Sequence, residues 1–331
     1  MSGDDATEVI SREGRPAILV RGFGWLSLSI LVAFLISNVL VVAYRFPGAD
    51  QAFTGGGTQA YIQLALYILA IVVAVGGVLK TPNRSLRWDA RIICDFNIYL
   101  VRACFWTVLF VGLIDFAIAF MRVEKLLTVF LSDDTARSMG LGRFVGPYVH
   151  VPLMVAGFVV AMFTRTLGFT WLALLIVIAE LAIVISRFVF SYEQAFMGDL
   201  VRYWYAALFL FASAYTLLDE GHVRVDVLYA GFSNKTKGFA NAIGSILFGM
   251  TTAWVIIIIG FNGRTAVINS PVASFEVSQS GGTGMFIKYQ MAAFLGVFAI
   301  TMLIQFVSYL FEAVADWRDE PGRREPAAVA H

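Results

Sequence analysis

Between residues 25 and 310 the sequence returns eight times to an apolar run of 17 to 25 residues, at roughly 25–44, 60–79, 98–120, 148–164, 171–190, 201–218, 239–262 and 286–310. A helix rises about 1.5 Å per residue, so each run can cross or nearly cross a hydrocarbon core about 30 Å thick. Inside lipid the backbone must satisfy its own N–H and C=O groups, which favours helices over isolated strands. The scarcity of charge agrees: 14% of residues are charged, whereas soluble domains carry about 25%. The expected fold is an all-α, polytopic integral membrane helical bundle of about eight transmembrane helices.

Residues 1–24 are polar and of mixed charge, and the first apolar run is long enough to stay in the bilayer. A cytoplasmic tail is therefore expected there rather than a cleaved leader. With the N-terminus inside, fourteen of the 24 Lys and Arg fall in inner segments. Arg45, Arg122, Lys125, Arg137, Arg143 and Arg264 are left in outer ones, and the other four lie within or at the edges of spans. The positive-inside rule thus favours cytoplasmic positions for both termini. The organisation read from this is a cytoplasmic tail at 1–24, an N-terminal membrane region of about four spans at 25–165, a second four-helix region at 166–315, and a cytoplasmic tail at 316–331. In the outer segment 121–147, Val123, Leu126, Leu127 and Phe130 recur at helical spacing, which predicts that part of it is an amphipathic helix lying in the interface. The Gly-, Ser- and Thr-rich loop 264–284 follows no strand, so it reads as a flexible outer connector and not as a phosphate cradle.

Several function classes lack their residues. The histidines are His150, His222 and His331, and only His150 falls in a span, so the facing axial pair of a membrane cytochrome b is missing. There is no HExxH, GxSxG or GxxxxGK[ST] motif. Cys94 and Cys104 are ten residues apart with no CxxC spacing, which reads as buried thiols. Neither a metal site nor a cofactor is expected, and a net charge of +1 gives no reason to expect nucleic acid.

Ionisable residues at membrane depth are functional candidates because they are costly to place there. Glu180 lies near the middle of the fifth run, and Arg187 follows about two turns later on the same face. Asp115 lies toward the outer end of the third run. Lys288 and Gln305 in the last run read as local anchors. Glu180 fits either a proton or cation relay or a structural carboxylate that is protonated or hydrogen-bonded to a neighbouring helix. Gly244, Ser245 and Gly249 are small residues suited to close helix contact.

The stretch DEGHVRVDVLY, residues 219–229, puts five ionisable residues into eight positions just after the sixth run. Its alternation fits a strand by period, but a lone strand beside a bilayer has no pairing partner. A helix–loop boundary bent at Gly221 is the better reading.

From about 171 to 315 the chain resembles the small membrane subunit of tripartite ATP-independent periplasmic (TRAP) transporters, the DctQ-type permease. The resemblance rests on three pieces in order: Ser186, Arg187 and Phe188; Asp199 followed by Arg202 and Tyr203; and His222, Arg224 and Asp226 in His-Val-Arg-Val-Asp. The family often has Trp and Glu before Arg-Tyr, whereas here Met197 and Asp199 stand nearby, and the last span lacks the prolines of many members. The first half adds about four spans that the small subunits usually lack. The resemblance implies a supporting membrane subunit in a bacterial inner membrane and no enzyme activity. The implied partners are a large permease that carries solute and coupling ions, an extracytoplasmic solute-binding protein and the lipid bilayer. The transported solute would be organic, a carboxylate, taken up at the expense of an ion gradient. Arg187, Asp199, Arg202, His222, Arg224 and Asp226 would then be supporting motif residues. The alternative is a self-sufficient proton-coupled carrier using Glu180 and Asp115.

Overall fold

A computed structural model describes residues 11–165, 169–218, 229, 231–277 and 281–323. Eight long helices dominate them: α1 (Ile18–Tyr44), α2 (Gly57–Lys80), α3 (Leu86–Val123), α4 (Gly142–Phe163), α5 (Phe169–Phe190), α6 (Ala195–Leu218), α7 (Asn234–Gly260) and α8 (Lys288–Trp317). Among the described residues β-structure amounts to one isolated bridge, between Glu13 and Arg84. The all-α expectation is met.

Seven of these helices are long and apolar enough to cross a membrane, and α6 is not among the seven. Its 24 residues give about 36 Å of helix, which is length enough. Its first turns, however, carry Asp199, Arg202, Tyr203, Trp204 and Tyr205. The expected sixth span is therefore a helix of mixed polarity, and the eight expected spans become seven clear ones.

The largest difference from the sequence reading is at α3, which begins at Leu86 and not near 98. Its 38 residues make about 57 Å of helix, well beyond the hydrocarbon thickness. Residues 86–97 contain too many charges to read as a span. Yet Leu86, Ala90, Ile93 and Asn97 are all buried, and their spacing of four, three and four forms one helical stripe. Asp89 in the first turn also suits the positive end of the helix dipole.

The chain forms two compact units, each drawing on both halves of the sequence. The first comprises Met1–Asn97, Thr216–Val255 and Met302–His331. Here α1 packs along α2, and the start of α3 is tied to the end of α8. The Asn97 amide donates to Gln305 Oε1 at 3.1 Å, and Ser308 Oγ donates to the Ala90 carbonyl at 2.8 Å. Close approach depends on glycine at Gly238, where a Cβ would meet the Trp317 backbone nitrogen at 2.4 Å, and at Gly249, where it would meet the Phe306 ring. Of the small residues expected in helix contacts, Ser245 and Gly249 are buried, whereas Gly244 has open space beside it. Ser245–Met250 winds as a π-turn within α7.

The second unit comprises Ile98–Tyr215 and Ile256–Thr301. In it α3 and α4 meet backbone to backbone at Gly157, where a Cβ would lie 2.6 Å from the Thr107 nitrogen. Helix α6 packs on α3 through Trp204, whose indole N–H donates to the Val108 carbonyl at 3.3 Å above Gly112. Phe211 makes edge contacts with Phe105 and Phe294. The segment after α3 is not one amphipathic helix. Lys125 adopts a left-handed φ of 57°, and two short helices follow, Leu127–Phe130 and Asp133–Ser138. Helix α5 is the least covered: 6% of its most apolar window is buried within the chain.

Candidate functional site

Five buried polar side chains of the second unit converge on one network. Asp115 comes from α3, His150 from α4, Tyr203 from α6, and Tyr289 and Gln290 from the first turn of α8. All five are buried. His150 is presented by a local irregularity: Gly146–His150 is a π-turn, with Pro147 contributing no N–H. The extra residue per turn changes the direction in which His150 leaves the helix.

The hydrogen bonds run in one direction. Tyr203 O–H donates to Gln290 Oε1, and Gln290 Nε2 donates to the Tyr289 hydroxyl at 3.0 Å. The Tyr289 hydroxyl, already an acceptor, has its proton left for His150 Nδ1 at 3.0 Å. A neutral His150 then carries its own proton on Nε2, facing Asp115 Oδ1 at 3.3 Å. That last contact is the slack link, since neither of its two atoms has a well-formed hydrogen bond. Asp115 Oδ2 accepts the Phe286 backbone N–H at 2.7 Å.

The same carboxylate belongs to a clamp on the loop before α8. Asp199 Oδ2 accepts the Met285 N–H at 3.0 Å, one residue before the Phe286 N–H taken by Asp115. Arg122 donates from Nε to the Gly282 carbonyl at 2.7 Å and from Nη2 to that of Gly284, while its guanidinium lies 4.0 Å over the Phe286 ring. At the other described end of the loop, Glu276 forms an ion pair with Lys288, and its carbonyl accepts the Tyr289 N–H at 3.0 Å. The expected flexible connector is, in its described parts, a segment pinned by side chains from α3, α6 and α8. Carboxylates accept buried backbone N–H groups strongly because the bond is charge-assisted.

The residues singled out in the sequence separate into three groups. Asp115 and Asp199 join this network. Arg202 pairs with Asp199 at 3.4 Å from an exposed position, Arg187 pairs with Glu193 at 3.3 Å, and Gln305 and Lys288 make the local contacts described above. Glu180 is exposed on α5 and is not joined to Asp115. His222, Arg224 and Asp226 lie outside the described residues. The sequence reading did not single out Tyr289, Gln290 or Arg122 as partners, and it weighed His150 only as a haem ligand. Tyr192 adds a peripheral tie by donating to Glu124. Burial first, and the Glu124 carboxylate second, push its phenol up to about 12.

The first unit has an ionic network of its own. Arg21, 1% exposed, donates from Nε to Asp89 Oδ2 at 2.8 Å and also holds the Thr81 carbonyl and hydroxyl. Arg87 donates to Glu312, to Asp316 at 2.9 Å, and to the carbonyls of Glu320 and Pro321 at 2.8 and 2.7 Å. Among the described residues no cluster of three His, Cys, Asp or Glu could hold a metal ion.

Compared with known proteins, residues 175–316 match the family described as tripartite ATP-independent periplasmic transporters, DctQ component. No curated protein and no solved structure matches the chain. The match begins within α5 and ends at the last turn of α8, so α1 to α4 are an extension ahead of it. Residues 175–316 thus carry a TRAP-type small-permease match, and further apolar helices precede it. The chain is a multi-pass inner-membrane transport component and not an enzyme.

Proposed function

With residues 175–316 in the DctQ family, we propose that this chain is the supporting subunit that holds a large TRAP permease in the membrane. That permease carries an organic solute, a carboxylate, driven by an ion gradient and supplied by an extracytoplasmic binding protein. Both termini lie in the cytoplasm, and the DctQ-like four-helix region at 166–315 follows a four-span region at 25–165. Arg187, Asp199, Arg202, His222, Arg224 and Asp226 act as supporting motif residues. The observation that carries this reading is the use made of the buried polar groups. Asp115, His150, Asp199, Tyr203, Tyr289 and Gln290 bond to one another or to a loop backbone, which fixes helices in place. A polar network of this kind rigidifies and specifies packing.

The extension joins in directly. Asp115 and His150 precede the matched stretch, while Tyr203, Phe286, Tyr289 and Gln290 lie within it. The added helices α3 and α4 are thereby built into the same packed unit as the family helices. The test is co-expression with a large permease and a binding protein, followed by co-purification and reconstituted solute uptake. Stable capture of the permease, with uptake requiring all three proteins, is expected. Solute uptake by this chain alone would refute the proposal and favour the proton-coupled carrier.

A further inference from the structure

A groove of about 270 Å³ opens between the first turns of α1 and the last turns of α2 in the first unit. One wall is apolar, formed by Val73, Ala74, Gly77 and Val78; the other end is polar, formed by Arg21, Arg84, Thr81 and the edge of Trp25. This division matches an amphiphile, with a charged head beside an aliphatic tail.

The charges are unequal. Asp89 is buried beneath the polar end, where its Oδ2 accepts from Arg21 Nε at 2.8 Å and from the Trp25 indole at 2.9 Å. Arg84 Nε stands 3.6 Å from Asp89 Oδ1. Two guanidiniums thus share one carboxylate, and Lys80 is exposed at the end of α2 next to Thr81. Arg21 is committed to Asp89 and Thr81. Arg84 is not: beyond that 3.6 Å approach it makes no other ion pair or side-chain hydrogen bond among the described residues, and its side chain is 26% exposed. A fork of N–H donors held over an apolar groove is suited to a phosphate diester. The groove is open beside Gly77, where a Cβ would meet nothing within 4 Å. Trp, Arg and Lys at a helix end are also the residues that sit at headgroup depth.

We propose that this groove binds an anionic phospholipid, its phosphate on Arg84 and its acyl chain along Val73, Ala74 and Gly77. The site belongs to the N-terminal extension and stands apart from the transport reading.

The test uses the full chain purified in detergent and examined by native mass spectrometry. The probes are dioleoyl phosphatidylglycerol, dioleoyl phosphatidylcholine and inorganic phosphate. Phosphatidylglycerol should be retained over phosphatidylcholine by about fivefold, and Arg84→Gln should remove that preference. Gly77→Leu, which fills the groove from an open helical position, should reduce retention of phosphatidylglycerol without lowering the melting temperature in detergent. Equal retention of the two lipids, or wild-type retention by the Gly77→Leu protein, would overturn the proposal. Displacement of phosphatidylglycerol by inorganic phosphate would overturn it as well, by showing a small-anion site.

Discussion

Asp115→Ala tests whether the buried network fixes the second unit. Asp115 is fully buried and serves two donors, the Phe286 N–H at 2.7 Å and His150 Nε2 at 3.3 Å. Alanine leaves the Phe286 N–H without an acceptor and removes the slack contact to His150. An orphaned buried donor costs about 1–3 kcal/mol, and the 3.3 Å contact places the His150 loss at the low end. The expected destabilisation is about 3 kcal/mol. Asp115→Asn is the discriminating control. Its amide oxygen can keep the Phe286 bond, but its NH2 then faces His150 Nε2. The imidazole must change tautomer, placing a second donor on the Tyr289 hydroxyl, whose own proton loses its partner. One displaced hydrogen bond costs about 1 kcal/mol, so Asn should lie between wild type and Ala. Reversible unfolding in mixed micelles reads both values. A double-mutant cycle with Tyr289→Phe should give a coupling of about 1 kcal/mol, because the two side chains share His150. Wild-type stability in Asp115→Ala, combined with loss of a transport activity, would refute the bracing role and point to a proton site.

Gly157→Ala should cost about 2 kcal/mol, because the new Cβ must displace the Thr107 backbone. The control Gly76→Ala meets open space and should instead stabilise by about 0.5–1 kcal/mol; both are read by the same unfolding assay. Arg87→Ala should cost about 2 kcal/mol, discounted from a buried pair because Glu312 is 30% exposed. Limited proteolysis should then find the segment after α8 more accessible, since Arg87 holds the Glu320 and Pro321 carbonyls. Arg224→Ala or Asp226→Ala should lower the yield of the permease complex or the rate of uptake with no change in substrate preference; a changed solute profile in competition assays would contradict this.

The helical class and most of the spans were legible in the sequence because they depend on local quantities. Length and apolarity decide whether a segment satisfies its backbone within lipid, and neither depends on distant partners. The DctQ resemblance was legible for the same reason, since its motifs are short and follow one another in order along the sequence. Asp115 was found as a costly charge in an apolar run, but its purpose was not visible there. Its acceptor role depends on Phe286, 171 positions away, and the His150–Tyr289 link spans 139 positions. The charged beginning of α3 was missed because its helix is held by one buried stripe against other helices and not by overall hydropathy. The sequence determined that the chain is a bundle of membrane helices with a family-like second half. Tertiary structure decided which polar groups meet, because a buried donor needs an acceptor in space, wherever that acceptor lies along the chain.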